Sequence, residues 1–143
     1  MAKAEQSVFI KAPVNQVFSY AMEPANQPDF WPSLLETTDI EPLPEGGFRN
    51  RWVYKMSGMR FKGTSETTEY VANRRVVNVT KGGIPSVQTW TFEPEPGGTK
   101  VTFAAEYTVP IPLLGKMAEA LIVKMNQREA ETLLGNLKDR MEA

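Results

Sequence analysis

Residues 113–143 read LLGKMAEALIVKMNQREAETLLGNLKDRMEA. Apolar residues recur along this stretch at spacings of three and four, at Leu114, Ala118, Leu121, Ile122, Met125, Ala130, Leu133, Leu137 and Met141. This spacing is typical of one face of an α-helix, so the stretch predicts one long amphipathic helix. Most of the preceding chain has the pattern of β-strands, and a sheet is therefore the expected partner of this helix.

The preceding residues predict a single antiparallel sheet. A strand at 7–11 is followed by a short helix at 14–21, which begins after Ala12-Pro13, and by a loop with a further helical turn between 24 and 33. Alternating or β-branched segments then predict six strands, at 37–42, 48–57, 60–71, 76–80, 86–93 and 100–109. Turn signals separate the later strands, at Gly58-Met59, Gly82-Gly83 and 94–98. Hairpin connections give an antiparallel sheet with one face for the long helix to cover.

Length and composition restrict the class of protein. With 143 residues, 41% of them hydrophobic, we expect one domain spanning 1–143. A net charge of -1 gives no electrostatic footprint for nucleic acid. The chain has no cysteine and no histidine, which removes disulfides, thiolate zinc sites and the commonest general base. We therefore expect no metal and no cofactor, and any catalysis must use carboxylates, lysine, tyrosine or hydroxyl groups.

The sequence also bears on localisation. Residues 1–6 lack the apolar core of a signal peptide. The longest unbroken apolar run, at 120–123, is far too short to span a bilayer. We expect a soluble, cytoplasmic protein without stable membrane insertion.

Four motifs, taken in order, resemble the SRPBCC superfamily, whose members have the helix-grip fold. They are VFIKAPVNQVF at 8–18, NQPDFWP at 26–32, WTFEP at 90–94 with GGTKVT at 97–102, and LLGNLK at 133–138. The superfamily includes the lipid-binding START domains, the birch-pollen-allergen-like plant proteins and the polyketide cyclase/dehydrase group. The resemblance covers essentially the whole chain.

The resemblance implies an α+β fold of the order β-α-α-β6-α. In it, a curved antiparallel sheet of about seven strands wraps around the long C-terminal helix. Between sheet and helix lies a cavity that commonly holds an apolar or aromatic small molecule. The same scaffold carries transport proteins, cyclases, hydrolases and chaperone-like partners, so the fold leaves the activity open.

Large apolar side chains predict the wall of this cavity. Alternation places Trp52 with Tyr54, and Phe103 with Tyr107, on common faces of their strands. The expected wall comprises Trp52, Tyr54, Phe61, Trp90, Phe103, Tyr107, Leu121 and Met125. Ordinary core packing is the alternative for each of these residues.

Two polar residues lie beside the apolar stripe of the terminal helix. At 100° per residue, Asn126 and Glu129 are about 20° and 40° from the centre of the stripe near Ile122 and Leu133. A buried carboxylate needs a partner, contact with water or a shifted pKa. Our hypothesis is that both residues face the cavity as its polar contacts. Alternatively, they reach solvent at its rim or the helix rotates them outward.

Other charged residues give weaker signals. Glu66 and Glu69 are three positions apart on one strand, so they should occupy opposite faces and form no catalytic pair. Arg74-Arg75 predicts a solvated corner or a salt-bridge donor, with a site for an anion as the alternative. Gly58, Gly63, Gly82 and Gly83 are expected in turns, and none of them lies between a strand and a helix, which excludes a phosphate-binding loop there.

Three functions remain open from the sequence. The first is binding of a small hydrophobic molecule that is aromatic, polyketide-like or lipid-like. The second is a cyclase or dehydratase that orients its substrate, with Glu129 as acid/base and Tyr54 or Tyr107 as proton donor. The third is a chaperone-like module that binds a protein partner.

Overall fold

The structure, a computed structural model, describes residues 2–110 and 116–143. This part of the chain contains seven strands: β1 Ala2–Ile10, β2 Leu34–Pro42, β3 Phe48–Met56, β4 Met59–Val71, β5 Arg75–Gly82, β6 Ser86–Glu95 and β7 Gly98–Tyr107. Its α-helices are α1 Val14–Ala21, α2 Gln27–Phe30 and α3 Lys116–Glu142, with a 3₁₀ turn at Pro24–Asn26. The residues 113–115, which the sequence assigns to the start of the long helix, lie outside the described residues.

The strands form one curved antiparallel sheet in the order β1-β7-β6-β5-β4-β3-β2. Strand β1 pairs with β7, from Ala2 opposite Tyr107 to Ile10 opposite Thr99. The first strand of the chain therefore lies beside the last, and β1 and β2 form the two edges with α1 and α2 between them in sequence. The predicted α+β architecture of a seven-stranded sheet and a long C-terminal helix is confirmed.

The C-terminal half of α3 is anchored to the sheet. Ala130, Leu133, Leu134 and Leu137 are buried against the core. The Nζ of Lys138 donates a hydrogen bond to the carbonyl of Phe9 at 2.8 Å, and the side-chain amide of Asn136 donates to the carbonyl of Phe30 at 3.1 Å. These bonds satisfy carbonyls at the end of β1 and of α2, so they fix the position of α3 over the sheet.

A β-bulge in β4 overturns the expectation that Glu66 and Glu69 occupy opposite faces. Glu66 pairs with Val79 and Glu69 pairs with Val77, with the register shift between 67 and 69. The extra residue changes the alternation, so both carboxylates lie on the same, outer face of the sheet. The carboxylate of Glu66 accepts a hydrogen bond from Arg49 at 2.6 Å, and Glu69 pairs with Arg75. Arg75 is thus the salt-bridge donor that the sequence predicts.

The turn after β6 is shorter than its sequence predicts. Proline and glycine at 94–98 indicate a loop, yet Pro94 pairs with Thr99 and Glu95 pairs with Gly98. Only the two residues between them make the turn, where Gly97 has a φ of 84°. A residue without a side chain adopts this left-handed conformation at little cost, and the strands can continue up to it.

Candidate functional site

A cavity of about 370 Å³ lies between the concave face of the sheet and α3. This volume falls in the range of pockets that hold small organic ligands, roughly 300–1,000 Å³. Its aromatic lining residues are Phe18, Trp31, Phe48, Trp52, Tyr54, Tyr70, Phe103 and Tyr107. Aromatic side chains present large, rigid apolar surfaces, so the cavity suits an apolar molecule.

Strand alternation supplies two sides of this wall. On β3, Trp52, Tyr54 and Met56 point to the concave face, and on β7 Phe103 and Tyr107 do the same. Trp52 and Tyr54 therefore share one face of β3, as expected, and Phe103 and Tyr107 share one face of β7. The sheet brings both faces to the same cavity.

Gly63 makes room for the Trp52 indole. It lies within β4, which corrects the expectation of a turn there, and it pairs directly with Trp52 of β3. A Cβ at position 63 would lie 2.4 Å from Cζ2 of Trp52 and 2.1 Å from the carbonyl oxygen of Lys81. Both distances are far below van der Waals contact, so only glycine allows this arrangement.

The Glu129 carboxylate lines the cavity and is held by Ser33. The backbone N–H of Ser33 donates to Oε1 at 3.1 Å, and its hydroxyl donates to Oε2 at 2.9 Å. A carboxylate on this face of the helix is expected to have a partner, and Ser33 is that partner. Each carboxylate oxygen keeps a further lone pair that can accept a hydrogen bond from a ligand.

Two tyrosines beside Glu129 and Asn126 stay protonated at neutral pH. Burial raises the pKa of Tyr54 to about 12, and the nearby negative charge of Glu129 acts in the same direction. Burial also raises the pKa of Tyr107, against a smaller opposing effect of its hydrogen bond with Asn126. Both phenols therefore act as neutral hydrogen-bonding groups.

Asn126 and Tyr107 form a second polar pair in the cavity. The side-chain amide of Asn126 donates to the phenolic oxygen of Tyr107 at 2.8 Å. Within residues 2–110 and 116–143, the phenolic proton has no protein acceptor. The pair can thus offer one donor, from Tyr107, and one acceptor, from the amide oxygen of Asn126.

The structure brings six of the ten predicted site residues together in the lining. These are Trp52, Tyr54, Phe103, Tyr107, Asn126 and Glu129. Phe61 is half-buried opposite Tyr54 on β4 but lies outside the lining, next to the glycine turn after β5. Asn126 and Glu129 occupy the cavity side of α3, as the helical wheel anticipates.

Trp90 is a core residue, which corrects its assignment to the wall. Its side chain is fully buried, with ring centroids 4.7 Å from Phe103 and 6.3 Å from Trp31. Trp31, which follows α2, covers it and takes the wall position instead. The sequence could not show that Trp31 covers Trp90, because the two residues are far apart in the chain and meet only when α2 packs on the sheet.

Leu121 and Met125 also lie away from the cavity, which corrects their assignment. Their side chains are 60% and 49% exposed. At 100° per residue they are about 120° and 80° around α3 from the buried Leu133, so the inward face is narrower than the apolar stripe.

A polar ribbon on β4, β5 and β6 was missed by the sequence reasoning. Its members face the cavity: Ser65, Thr67, Asn78, Thr80, Ser86 and Gln88. The Thr67 hydroxyl donates to Oδ1 of Asn78 at 2.7 Å, and the buried Thr80 and Ser86 hydroxyls bond to each other. Local alternation could not reveal it, because the apolar Val77 and Val79 lie on the strand face opposite Asn78 and Thr80 and would be the expected inward set.

Within the described residues, the cavity opens near the end of α1. Among the described lining residues, only Ser19, Tyr70 and Ala72 are exposed. The bulge in β4 turns Tyr70 toward this opening, where its ring meets Phe18 at a centroid distance of 5.7 Å. The exposed lining residues thus lie between α1 and the turn that joins β4 to β5.

Neither a metal cluster nor a membrane-spanning helix is found within residues 2–110 and 116–143. In this part of the chain no group of three or more acidic side chains is placed to hold a metal ion. No helix there is both long and apolar enough to cross a membrane.

Comparison with solved structures finds the same fold in several proteins. A protein from Thermus thermophilus is 27% identical with a TM-score of 0.76, and the alignment covers 97% of this chain and 96% of that one. A START superfamily protein from Mycobacterium smegmatis is 15% identical with a TM-score of 0.79, covering 99% and 98%. The di-domain ARO/CYC StfQ from the steffimycin biosynthetic pathway is 16% identical with a TM-score of 0.75, covering 99% of this chain and 50% of StfQ.

Comparison of the sequence itself identifies a family. No curated protein matches the sequence of this chain. The family model described as polyketide cyclase / dehydrase and lipid transport matches residues 1–142. The START-like architecture and this match confirm the resemblance to the SRPBCC superfamily. The chain therefore belongs to the polyketide cyclase / dehydrase and lipid transport family.

Proposed function

We propose that this protein binds a small, ring-containing apolar molecule in the cavity between the sheet and α3. The observation that carries the proposal is the cavity of about 370 Å³ with its lining of aromatic side chains. Burial of apolar ligand surface supplies the affinity, and a few fixed polar groups supply the orientation. The lipid-transport part of the family description is consistent with this role.

Two polar pairs would orient the ligand. Glu129 with Ser33, and Asn126 with Tyr107, are both held by hydrogen bonds before any ligand arrives. Fixed groups of this kind lower the entropic cost of binding. They act near α3, whereas the polar ribbon on β4–β6 can contact the other side of the ligand.

Filling the cavity tests the proposal directly. Ala105 lines the cavity, whereas its neighbour Ala104 on β7 does not. We expect Ala105→Phe to abolish binding of the neutral apolar dye Nile red, and Ala104→Phe to leave it unchanged. Native mass spectrometry of the protein purified from its own host should show an apolar adduct. Equal dye binding by the two variants would contradict the proposal.

A cyclase or dehydratase is the second candidate. It is favoured by the carboxylate of Glu129 and the phenols of Tyr54 and Tyr107, which line one cavity. The family description names polyketide cyclases, and the ARO/CYC protein StfQ has the same fold. A polyketide is therefore the substrate class to test. Catalysis would come chiefly from holding a reactive chain in a folded conformation, with Glu129 moving protons.

The two candidates differ in what Glu129→Gln does. If the protein is an enzyme, this variant should lose turnover of a poly-β-keto thioester while still binding it. If the protein only binds, the wild type should convert the thioester no faster than buffer without protein does.

A further inference from the structure

We propose that the cavity selects for ligands without negative charge, namely neutral ring compounds and those that carry a protonated amine. This inference rests on the proposed binding function and narrows its ligand class. Its basis is the distribution of charged side chains around the cavity.

The described lining residues include two carboxylates and no cationic side chain. The carboxylates belong to Glu23 and Glu129, and no lysine or arginine of residues 2–110 and 116–143 lines the cavity. The sequence of 111–115, Ile-Pro-Leu-Leu-Gly, contains no charged side chain either. A carboxylate or phosphate on a ligand would therefore meet no counter-ion among the described side chains, and its burial would carry a high desolvation cost.

The sheet directs its basic residues away from the cavity. Arg49 and Arg51 alternate on β3 with the lining residues Asn50 and Trp52, so they project from the outer face. There Arg49 pairs with Glu66, and Arg51 lies 3.4 Å from Asp39. Acidic partners on that outer face hold these cations, so they do not serve the cavity.

Glu129 sets the sign of the charge inside the cavity. Ser33 fixes its carboxylate in the wall, and the remaining polar lining near α3 consists of neutral groups of Tyr54, Tyr107 and Asn126. In a partly dehydrated site, the interaction of this carboxylate with a charged ligand is stronger than in water. An anion is repelled, whereas a hydroxyl or an ammonium group can donate to its free lone pairs. Glu23 adds a second negative charge close to the opening.

Three naphthalene probes of nearly equal size test the inference. They are 2-naphthol, which is neutral, 2-naphthylmethylamine, which is protonated, and 2-naphthoate, which is anionic at neutral pH. We expect isothermal titration calorimetry at low ionic strength to show naphthoate binding at least about tenfold more weakly than the other two. Naphthoate binding as tightly as naphthol would overturn the inference. Absence of binding by all three would contradict the proposed function instead.

Two matched variants locate the effect. We expect Glu129→Gln to lower the ratio of amine to naphthoate affinity by about tenfold, because the fixed charge is lost. Glu131→Gln makes the same change of net charge on the exposed face of α3, outside the lining, and should leave the ratio unchanged. Equal shifts in the two variants would attribute the selectivity to net charge and overturn the inference. If Glu129→Gln does not fold, the order of the three probe affinities in the wild type still tests the inference.

Discussion

Ser33 binds both oxygens of the Glu129 carboxylate, one through its backbone N–H at 3.1 Å and the other through its hydroxyl at 2.9 Å. Ser33 lies between α2 and β2, and Glu129 lies near the middle of α3. The contact therefore joins the helical segment after α1 to the terminal helix, at the wall of the cavity. It fixes the position of the carboxylate in the cavity wall.

Removal of the Ser33 hydroxyl should destabilise the fold. Ser33→Ala leaves one carboxylate oxygen without its protein donor, and we expect the free energy of unfolding to fall by about 1–2 kcal/mol. Urea denaturation measures this change. As a control, Ser7→Ala removes an exposed hydroxyl that bonds to Thr102, and should cost about 0.5 kcal/mol or less. Equal losses in the two variants would mean that the hydrogen bond to Glu129 stabilises the fold no more than an exposed one does.

Tyr54 should make stability fall at high pH. Its pKa is about 12 in the folded protein against an ordinary value of 10. The pKa of Tyr54 is higher in the folded protein than in the unfolded chain. The contribution of its protonated phenol to the free energy of unfolding is therefore fully present below pH 10 and is lost as the pH rises toward about 12. The expected loss is about 2–3 kcal/mol from this shift.

Tyr54→Phe tests that pH dependence. Unfolding by urea, followed from about pH 9 to about pH 12, should show a shallower decline in the variant than in the wild type, since phenylalanine has no proton to lose. Tyr70→Phe, which removes a phenol from an exposed ring at the opening, is the matched control. Identical slopes for Tyr54→Phe and the wild type would contradict the prediction.

Gly63→Ala should damage both the fold and the cavity. The added Cβ would overlap the backbone of Lys81 and the indole of Trp52. We expect a loss of about 2–4 kcal/mol in stability and a changed near-ultraviolet circular dichroism spectrum from the displaced tryptophan. Unchanged Nile red binding together with unchanged stability would show that the close approach is not rigid.

Gly135→Ala is the matched substitution with the opposite expected sign. Gly135 lies within α3, and a Cβ there meets no atom within 4 Å. Because alanine favours the helix over glycine, the melting temperature should rise, by the equivalent of about 0.5–1 kcal/mol. A fall in melting temperature would indicate a packing role for the glycine.

Asn126 and Tyr107 should show coupled energies. A double-mutant cycle with Asn126→Ala and Tyr107→Phe isolates their 2.8 Å hydrogen bond. We expect a coupling of about 1 kcal/mol in the free energy of unfolding. Strictly additive losses would contradict a direct interaction between the two side chains.

The sequence by itself determined the architecture. Period-two alternation and turn residues predicted the strands that pair in one sheet, and the stripe at Ala130, Leu133 and Leu137 predicted the helix that covers it. These features follow from local geometry, because side chains on one face of a helix or strand must share one environment. The same helical geometry led to the hypothesis that Asn126 and Glu129 face the cavity, and both line it.

The details of the cavity were decided by the tertiary structure. The partner of Glu129 is Ser33, which is 96 positions away in the chain, and Trp31 takes the wall position that the pattern gave to Trp90. The bulge after Thr67 turns Tyr70 toward the opening. No local period encodes such contacts, since they depend on sheet curvature and on how α2 and α3 meet the sheet. The inward face of α3 is likewise narrower than its apolar stripe, because only the sheet decides which of those residues it covers.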